Sequence, residues 1–399
     1  MQMFTGKEYL MIDIANSFGL DKLNWQDRIN WFKENENQLE KLTPEADDDC
    51  LYQAGVMAWR KVQKGLPSGY PVSLDATCSG MQILACLCGD IDAAKLCNVV
   101  PTGKREDAYK AIYEFMLTKI NEDGKIKRED TKKAIMTSLY GSSAVPKQVF
   151  GEGNLYNIFL DTMKECAGGT WEINEAFLDM WQPNNLSHDW ILPDNFHVHI
   201  KVIDTITEVI HFLNEPFDIT KKVNKPMESG RSLGANATHS IDGFIVREIV
   251  RRCSFNPQQI KEVKDAILSE QKDFSEYRPK DKMLKKLISN YKKTRILSAR
   301  IFDYIDIFNN GWVDNIPVME LIDSLPTKPF NVITIHDCFR VLPNYGNDIR
   351  KQYTRLLYEI AKSNLLNDII SQIIGRRVDV GKVDPNMYKL ILDSDYALS

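Results

Sequence analysis

At 399 residues, with 43% hydrophobic, 26% charged and 10% aromatic side chains, the chain has the composition of a globular protein and more length than one hydrophobic core usually serves. A formal net charge of −5 excludes a surface that is basic throughout, though not a local basic channel. No apolar run reaches the roughly 18 residues of a membrane span and Met1 to Leu10 lacks a cleavable apolar segment, so a cytoplasmic protein with no membrane span is expected. The eight cysteines show neither a CxxC pair nor a Cys/His cluster and read as reduced thiols.

Residues 1 to 62 repeat apolar side chains at helical spacing, among them Trp25, Ile29, Phe32, Leu39, Leu42, Met57 and Trp59, and predict helices. Gly69 to Asp75 is a turn signal followed by a short apolar run ending in an acid, the pattern of a buried strand with a carboxylate at its tip. Ser79 to Leu84 starts a helix. Further helices are predicted over Glu106 to Ile120 and Arg128 to Leu139, the second opening after a turn at Gly124 and closing at Tyr140-Gly141. Residues 142 to 185 read as irregular and helical by turns. Trp190 to Val202 alternates (Phe196, Val198, Ile200, Val202) and predicts a strand, while Asn224 to Ala237 is turn-rich and predicts a loop. Ile241 to Cys253 is helical. Gln258 to Arg300 is a polar, strongly basic helical stretch with Lys280, Lys282, Lys285, Lys286, Lys292, Lys293, Arg295 and Arg300. Phe330 to Ile335 is a strand by β-branched content, His336-Asp337 sits at its end, and Phe339 to Pro343 begins the return.

Two acids at strand tips, Asp75 and Asp337, could meet if both strands share a sheet, and a pair of divalent ions needs such shared carboxylates. Taken singly, Asp75 reads better as a helix cap and Asp337 as a turn residue. Between them, Arg128, Lys132, Met136 and Tyr140 recur at four-residue spacing along one stripe of a helix. Two cations there suit the phosphates of a nucleotide and the tyrosine suits a base. A solvated basic face with Tyr140 as an anchor is the alternative.

The order acid, Arg/Lys/Tyr helix, His-Asp hairpin resembles the single-subunit RNA polymerases of phage T-seven type, relatives of family A DNA polymerases and mitochondrial RNA polymerases. The resemblance is carried by Asp75-Ala76-Thr77-Cys78-Ser79-Gly80-Met81-Gln82, by Arg128 to Gly141, and by Ile335-His336-Asp337-Cys338-Phe339. His239-Ser240-Ile241-Asp242-Gly243 and the terminal Leu392 to Ser399 agree with it, and weaker similarity reaches Asp27 to Leu39. It implies an α+β, mainly helical fold, with a right-hand palm of small antiparallel sheet and helical fingers. It also implies DNA-templated RNA synthesis. Asp75 and Asp337 would bind two Mg²⁺ ions, with the Ala76 carbonyl also available. Lys132 would contact the α-phosphate region and protonate pyrophosphate, and Arg128 would hold the outer phosphates. Tyr140 and His239 would monitor the ribose 2′-hydroxyl, with Tyr109 near the nucleotide. His239 and His336 can also be read as core histidines. Family A DNA polymerases carry a glutamate after the first acid and a phenylalanine between the Lys and Tyr; Ser79-Gly80 and Met136 stand there here, so ribonucleotides are expected.

The first motif begins at residue 75, without the upstream half and D-x-x-G-R element of the one-chain enzymes, which resembles the catalytic subunit of the split RNA polymerase of phage N-four type. The expected partners are therefore a second polymerase subunit, DNA template, nascent RNA, ribonucleoside triphosphates and a single-stranded-DNA-binding loading factor. The compartment implied for a phage-encoded chain is the cytoplasm of the infected host. The segment between Ile210 and Ala237 stands where the family has a promoter-specificity hairpin but is shorter, which argues against independent reading of duplex promoters. The expected divisions are a helical support over 1–70, palm over 71–100, fingers over 101–189, palm with the specificity segment over 190–255, a basic helical insertion over 256–325, and palm with C-terminal foot over 326–399. Lys285, Lys286, Lys292, Lys293 and Arg295 are candidates for gripping nucleic acid. The competing readings are a non-catalytic nucleic-acid-binding or assembly subunit, and a DNA polymerase or primase.

Overall fold

The opening helices are α1 (Gly6–Ala15), α2 (Trp25–Asn35), α3 (Leu39–Leu42) and α4 (Asp49–Gln63), seen in a computed structural model that describes residues 1–120, 126–226 and 232–399. Thr5 and Glu8 form the capping box that starts α1, and the Asp48 carboxylate accepts the Leu51 N–H at 2.9 Å to start α4. Trp25, Phe32 and Trp59 sink into the main core as their helical spacing predicts, joined by Tyr52, while Met57 is exposed.

Strand β1 (Val72–Asp75) leads into α5 (Ser79–Cys88). Every residue of α5 is buried, because it is apolar on all sides and so serves as a central pillar rather than a surface helix. After α6 (Ile91–Leu96) come α7 (Ala108–Leu117), α8 (Arg128–Ser138), α9 (Ala144–Phe150), α10 (Asn154–Cys166) and α11 (Gly168–Asp179). α7 packs on α8 and α10, and α11 packs back on α5. The turn expected at Gly124 lies outside the described residues.

The strand expected over Trp190 to Val202 is instead a hairpin of β2 (Ser187–Ile191) and β3 (His197–Lys201), paired from Ser187↔Lys201 to Ile191↔His197. The alternation breaks at Pro193-Asp194-Asn195, where Asn195 takes φ +58 and returns its N–H to the Leu192 carbonyl at 2.8 Å. β4 (Asp204–Phe212) and β5 (Glu215–Val223) follow as a second two-stranded ribbon. Its turn, Leu213-Asn214, has positive φ at both residues, the geometry that matches strand twist. The segment expected as a shortened loop from Ile210 is thus regular strand as far as Val223. The loop expected over Asn224 to Ala237 also ends early, because helix α12 (Ser232–Cys253) already covers its last residues.

The basic stretch divides into α13 (Pro257–Leu268) and α14 (Pro279–Thr294). Pro279 can only open a helix, and Asp281 accepts the Arg278 N–H at 3.0 Å at that start, so residues 269–278 cannot continue α13. Together with α15 (Asn315–Asp323) they enclose a separate apolar cluster that includes Val263, Ile267, Leu284, Leu287, Phe302 and Leu321. The chain closes with β6 (Ile333–Ile335), β7 (Cys338–Val341), α16 (Gly346–Lys362), α17 (Leu365–Ile374) and α18 (Tyr388–Ile391). β1, β7 and β6 form one antiparallel sheet in that order, and its Val72, Leu74, Phe339 and Val341 face the main core with α5 and α16. The fold is α+β and mainly helical, as expected. Among the described residues no helix is long and apolar enough to cross a membrane.

Candidate active site

β1 pairs with β7 so that Asp75 stands opposite Cys338, and β6 returns into β7 through the two-residue turn His336-Asp337. That register puts the two acids side by side, although 262 positions separate them in the sequence. The Ala76 N–H donates to the Asp337 carbonyl at 3.2 Å, tying the two tips together. A third segment completes the floor: Asp75 exchanges backbone hydrogen bonds with Ser399 at 3.2 and 2.9 Å, and Ala76 bridges to Leu398. Burial raises the Asp75 carboxyl above its ordinary value, the Cys338 thiol hydrogen bond opposes this, and the neighbouring charge of Asp337 adds to it.

The Arg128 guanidinium, at the start of α8, bonds the Asp107 carboxylate at 2.5 Å and Glu129 at 2.6 Å. Asp107 also caps α7 through the Lys110 N–H, so Arg128 is held at the junction of two helices. One turn on, the Lys132 ammonium lies 5.7 Å from the centre of the Tyr109 ring. The Tyr109 hydroxyl accepts the Cys78 thiol at 3.3 Å, which joins this helix pair to the loop after Asp75. Burial, then the nearby Cys78, pushes the Tyr109 phenol well up. Tyr140 follows the end of α8, where Gly141 at φ +79 reverses the chain. Its ring stacks on His239 of α12 at 4.4 Å and 8°. A Cβ placed on Gly80 would meet the Tyr140 hydroxyl at 3.0 Å, so α5 approaches the tyrosine through its one residue without a side chain. Burial takes the Tyr140 phenol to about 12 against a hydrogen bond with Ser79. Burial lowers the His239 imidazole, with His336 adding to the effect. His336 itself is exposed, at φ +55.

Asp75, Ala76, Asp337, Lys132, Tyr109, Tyr140 and His239 therefore belong to one connected constellation, with Arg128 at its edge. Lys285, Lys286, Lys292, Lys293 and Arg295 do not join it; they lie on or just beyond α14.

Three residues that sequence reasoning did not single out support it. Asp242, one turn after His239, is driven up to about 6 by burial and then by Asp337, so it is a third acid beside the pair. Gln82 is fully buried. Its amide donates to Thr77 Oγ1 at 3.0 Å and to the Cys97 and Ala397 carbonyls at 2.9 Å, and its Oε1 accepts the Tyr353 hydroxyl at 2.7 Å. That one side chain fixes the loop after Asp75 to the C-terminal strand. Asp13 on α1 accepts the Ser73 N–H at 2.7 Å and the Tyr70 hydroxyl at 2.8 Å beneath β1. An acid inside the apolar run Met11 to Ala15 was the available signal for Asp13; Asp242 and Gln82 stood inside the quoted motifs.

Among the described residues no cluster of three or more His, Cys, Asp or Glu side chains has the arrangement of a protein-only metal cage. Two adjacent carboxylates, one raised by the other's charge, form an all-oxygen set. That set fits a hard divalent cation that completes its shell with substrate and water, as Mg²⁺ does, and does not fit zinc.

Residues 4–157 match the model of the DNA-dependent RNA polymerase family. The chain is 28% identical over 169 residues to the mitochondrial DNA-directed RNA polymerase of Neurospora crassa, covering 35% of this chain and 12% of that protein. It is 26% identical over 259 residues to the mitochondrial enzyme of Schizosaccharomyces pombe, covering 56% and 22%. To the DNA-directed RNA polymerase of Pseudomonas phage phiKMV it is 26% identical over 173 residues, covering 35% and 21%. The chain thus spans about a fifth or less of the length of these relatives. Its likeness is to the T-seven-like single-subunit RNA polymerases.

Proposed function

We propose that this chain is the catalytic palm and fingers of a DNA-directed RNA polymerase that works with a second polypeptide. The observation that carries the reading is the register of β1 on β7, which sets Asp75 beside Asp337 within reach of the same loop that contacts Tyr109 and Tyr140. The enzyme class of the relatives supports it. The palm would comprise 71–100, 190–255 and 326–399, and the fingers 101–189.

In this reading Asp75 and Asp337 would hold two Mg²⁺ ions, with the Ala76 carbonyl also available, and the bound metal would supply charge stabilisation for nucleotidyl transfer. Arg128 grips the outer phosphates of the ribonucleoside triphosphate, exchanging its bonds to Asp107 and Glu129 for phosphate oxygens. Lys132 Nζ neutralises charge at the α-phosphate and hands its proton to the departing pyrophosphate. The stacked Tyr140 and His239 present a hydroxyl and an imidazole to the ribose. Burial keeps His239 neutral near pH 7, able to accept as well as donate. The closeness of Tyr140 to Gly80 leaves no side chain there to exclude a 2′-hydroxyl, which favours RNA over DNA synthesis. The template strand, the nascent RNA and a single-stranded-DNA-binding loading factor complete the proposed assembly.

The test is extension of an RNA primer annealed to a DNA template by the chain with its co-purified partner. Asp75→Asn or Asp337→Asn is expected to lower extension by at least about a thousandfold, the scale of losing a charge-stabilising group, with an unchanged thermal transition. Retained extension would falsify the assignment and favour a non-catalytic assembly subunit. Faster use of deoxynucleotides than ribonucleotides by the unaltered chain would favour a DNA polymerase.

A further inference from the structure

The basic stretch separates into two electrostatically different parts. Around the start of α14 three cations are engaged by neighbouring acids, while Lys282 and Lys286 are exposed. Arg278 is bonded to Asp281 and Asp306, Lys280 to Asp306 at 2.5 Å, and Lys285 to Glu276 at 2.6 Å while also lying 3.8 Å over the Trp312 ring. At the other end Lys292, Lys293 and Arg295 face α17 and the segment after it, where Arg376 and Arg377 follow the Gly375 turn. The walls enclose a cleft of about 710 Å³. All five cations are exposed, and among the described residues none of them makes an ion pair.

The two acids on the walls bond amides, although Asp368 also lies close enough to Lys293 to feel its charge. Asp379 accepts the Asn367 amide at 2.8 Å, and Asp368 accepts the Gln372 amide at 2.8 Å. Arg295 is the sharpest sign that charge is wanted here. It ends α14 in the left-handed conformation at φ +64, where glycine is free of strain and any other residue costs about 1 kcal/mol. It also lines a second cleft, of about 670 Å³, where Arg355 and Lys362 are balanced by Glu320, Asp323 and Glu359.

We propose that this cleft binds the sugar–phosphate backbone of a single nucleic-acid strand. Five cations spread over two walls exceed what one phosphate can meet, whereas a strand repeats its charge along its length. No aromatic side chain lines the cleft, and its neutral donors are amides and a hydroxyl. Bases therefore have nothing to stack on, and the contact is to the backbone without sequence preference. An acidic protein segment would seek an apolar anchor, and Val378 is the sole apolar side chain on the walls. The inference rests on the polymerase reading only for the presence of a strand; its chemistry does not involve Asp75 or Asp337.

The experiment measures fluorescence anisotropy of labelled oligo(rU) and oligo(dT) of equal length against the chain, with its partner present, over a salt series. Joint replacement Lys292→Gln, Lys293→Gln, Arg376→Gln and Arg377→Gln is expected to weaken binding at least about tenfold at low salt. It should also flatten the salt dependence by about 0.7 per lost phosphate contact. Extension of a short preformed primer–template stays unchanged. Arg376→Glu with Arg377→Glu, confined to an exposed segment, serves as the second variant should the first fold poorly. Asp337→Asn is expected to bind the oligonucleotides like the unaltered chain while losing extension, so the two proposals fail separately. Equal binding of both oligonucleotides supports a pure backbone contact, and tighter oligo(rU) assigns the cleft to the transcript. Unchanged affinity and salt slope in both variants would overturn the proposal. So would polyglutamate binding as tightly as oligo(rU), which would reassign the cleft to an acidic protein segment.

Discussion

Tyr140 shows how neighbours fix the position of a single side chain. It is held by the His239 ring on one side, Gly80 on the other and Ser79 at its hydroxyl, so removing the oxygen leaves the ring in place. Tyr140→Phe is therefore expected to retain extension while its preference for ribonucleotides over deoxynucleotides falls about tenfold or more, the worth of one buried hydrogen bond. Competition between the two substrates in primer extension checks this; an unchanged ratio would mean that the hydroxyl only bonds Ser79. The placement of Asp75 and Asp337 at strand tips was legible in the sequence because a short apolar run ending in an acid is a local pattern. Asp242 and Asp13 were not, because what distinguishes them is the company they keep in space. Asp242 is raised to about 6 by burial and an acid from a different element, and Asp13 to about 6 by burial beneath β1.

Among the elements, the β2–β3 hairpin depends on a contact that periodicity cannot foretell. The Asp194 carboxylate in its turn, 1% exposed, accepts Arg247 at 2.6 Å and Arg251 at 2.9 Å from α12, and its carbonyl accepts Arg300 at 2.8 Å. Burial opposes ionisation of Asp194, but the two guanidiniums outweigh it and hold the carboxyl below its ordinary value. A depressed carboxyl stabilises the fold fully above the unfolded value of about 4, and that contribution disappears as pH falls through the folded value. Asp194→Asn is expected to cost about 2 to 3 kcal/mol at pH 7, less than for a wholly buried pair because the arginines keep 27% and 26% of their surface in water. In urea melts the gap to the unaltered chain should close below about pH 4; equal midpoints at pH 7 would remove Asp194 as the clamp. The alternation from Phe196 to Val202 drew the strand back over this turn, although Pro193-Asp194-Asn195 is a turn signal in the sequence. In the basic stretch, by contrast, Pro279 marked the true break between α13 and α14.

For the whole molecule, the separation into two apolar clusters could not be read from composition, since the α13–α15 segment is no less helical in pattern than its surroundings. Leu284 is wholly buried in the smaller cluster, so Leu284→Ala is expected to cost about 3 kcal/mol. Amide hydrogen exchange should then quicken across 257–323 while the β1–β7–β6 sheet keeps its protection and primer extension continues. Quickening in both regions alike would show that they melt as one unit. The β4–β5 ribbon stands outside both clusters: Val209, Ile210, Phe212, Phe217 and Ile219 are exposed, and Leu213 at its tip keeps 81% of its surface in water. A two-stranded ribbon without a core is only marginally stable by itself, so among the described residues its tip is open to proteases. Limited digestion of the free protein is expected to cut first within 212–215 and yield two fragments that stay associated through the main core. Survival of that tip under the same digestion, while other segments are cut, would mean that the ribbon is stiffer than its pairing implies. The site of first cleavage thus doubles as a reporter, because whatever settles on the ribbon will register as a delay in nicking.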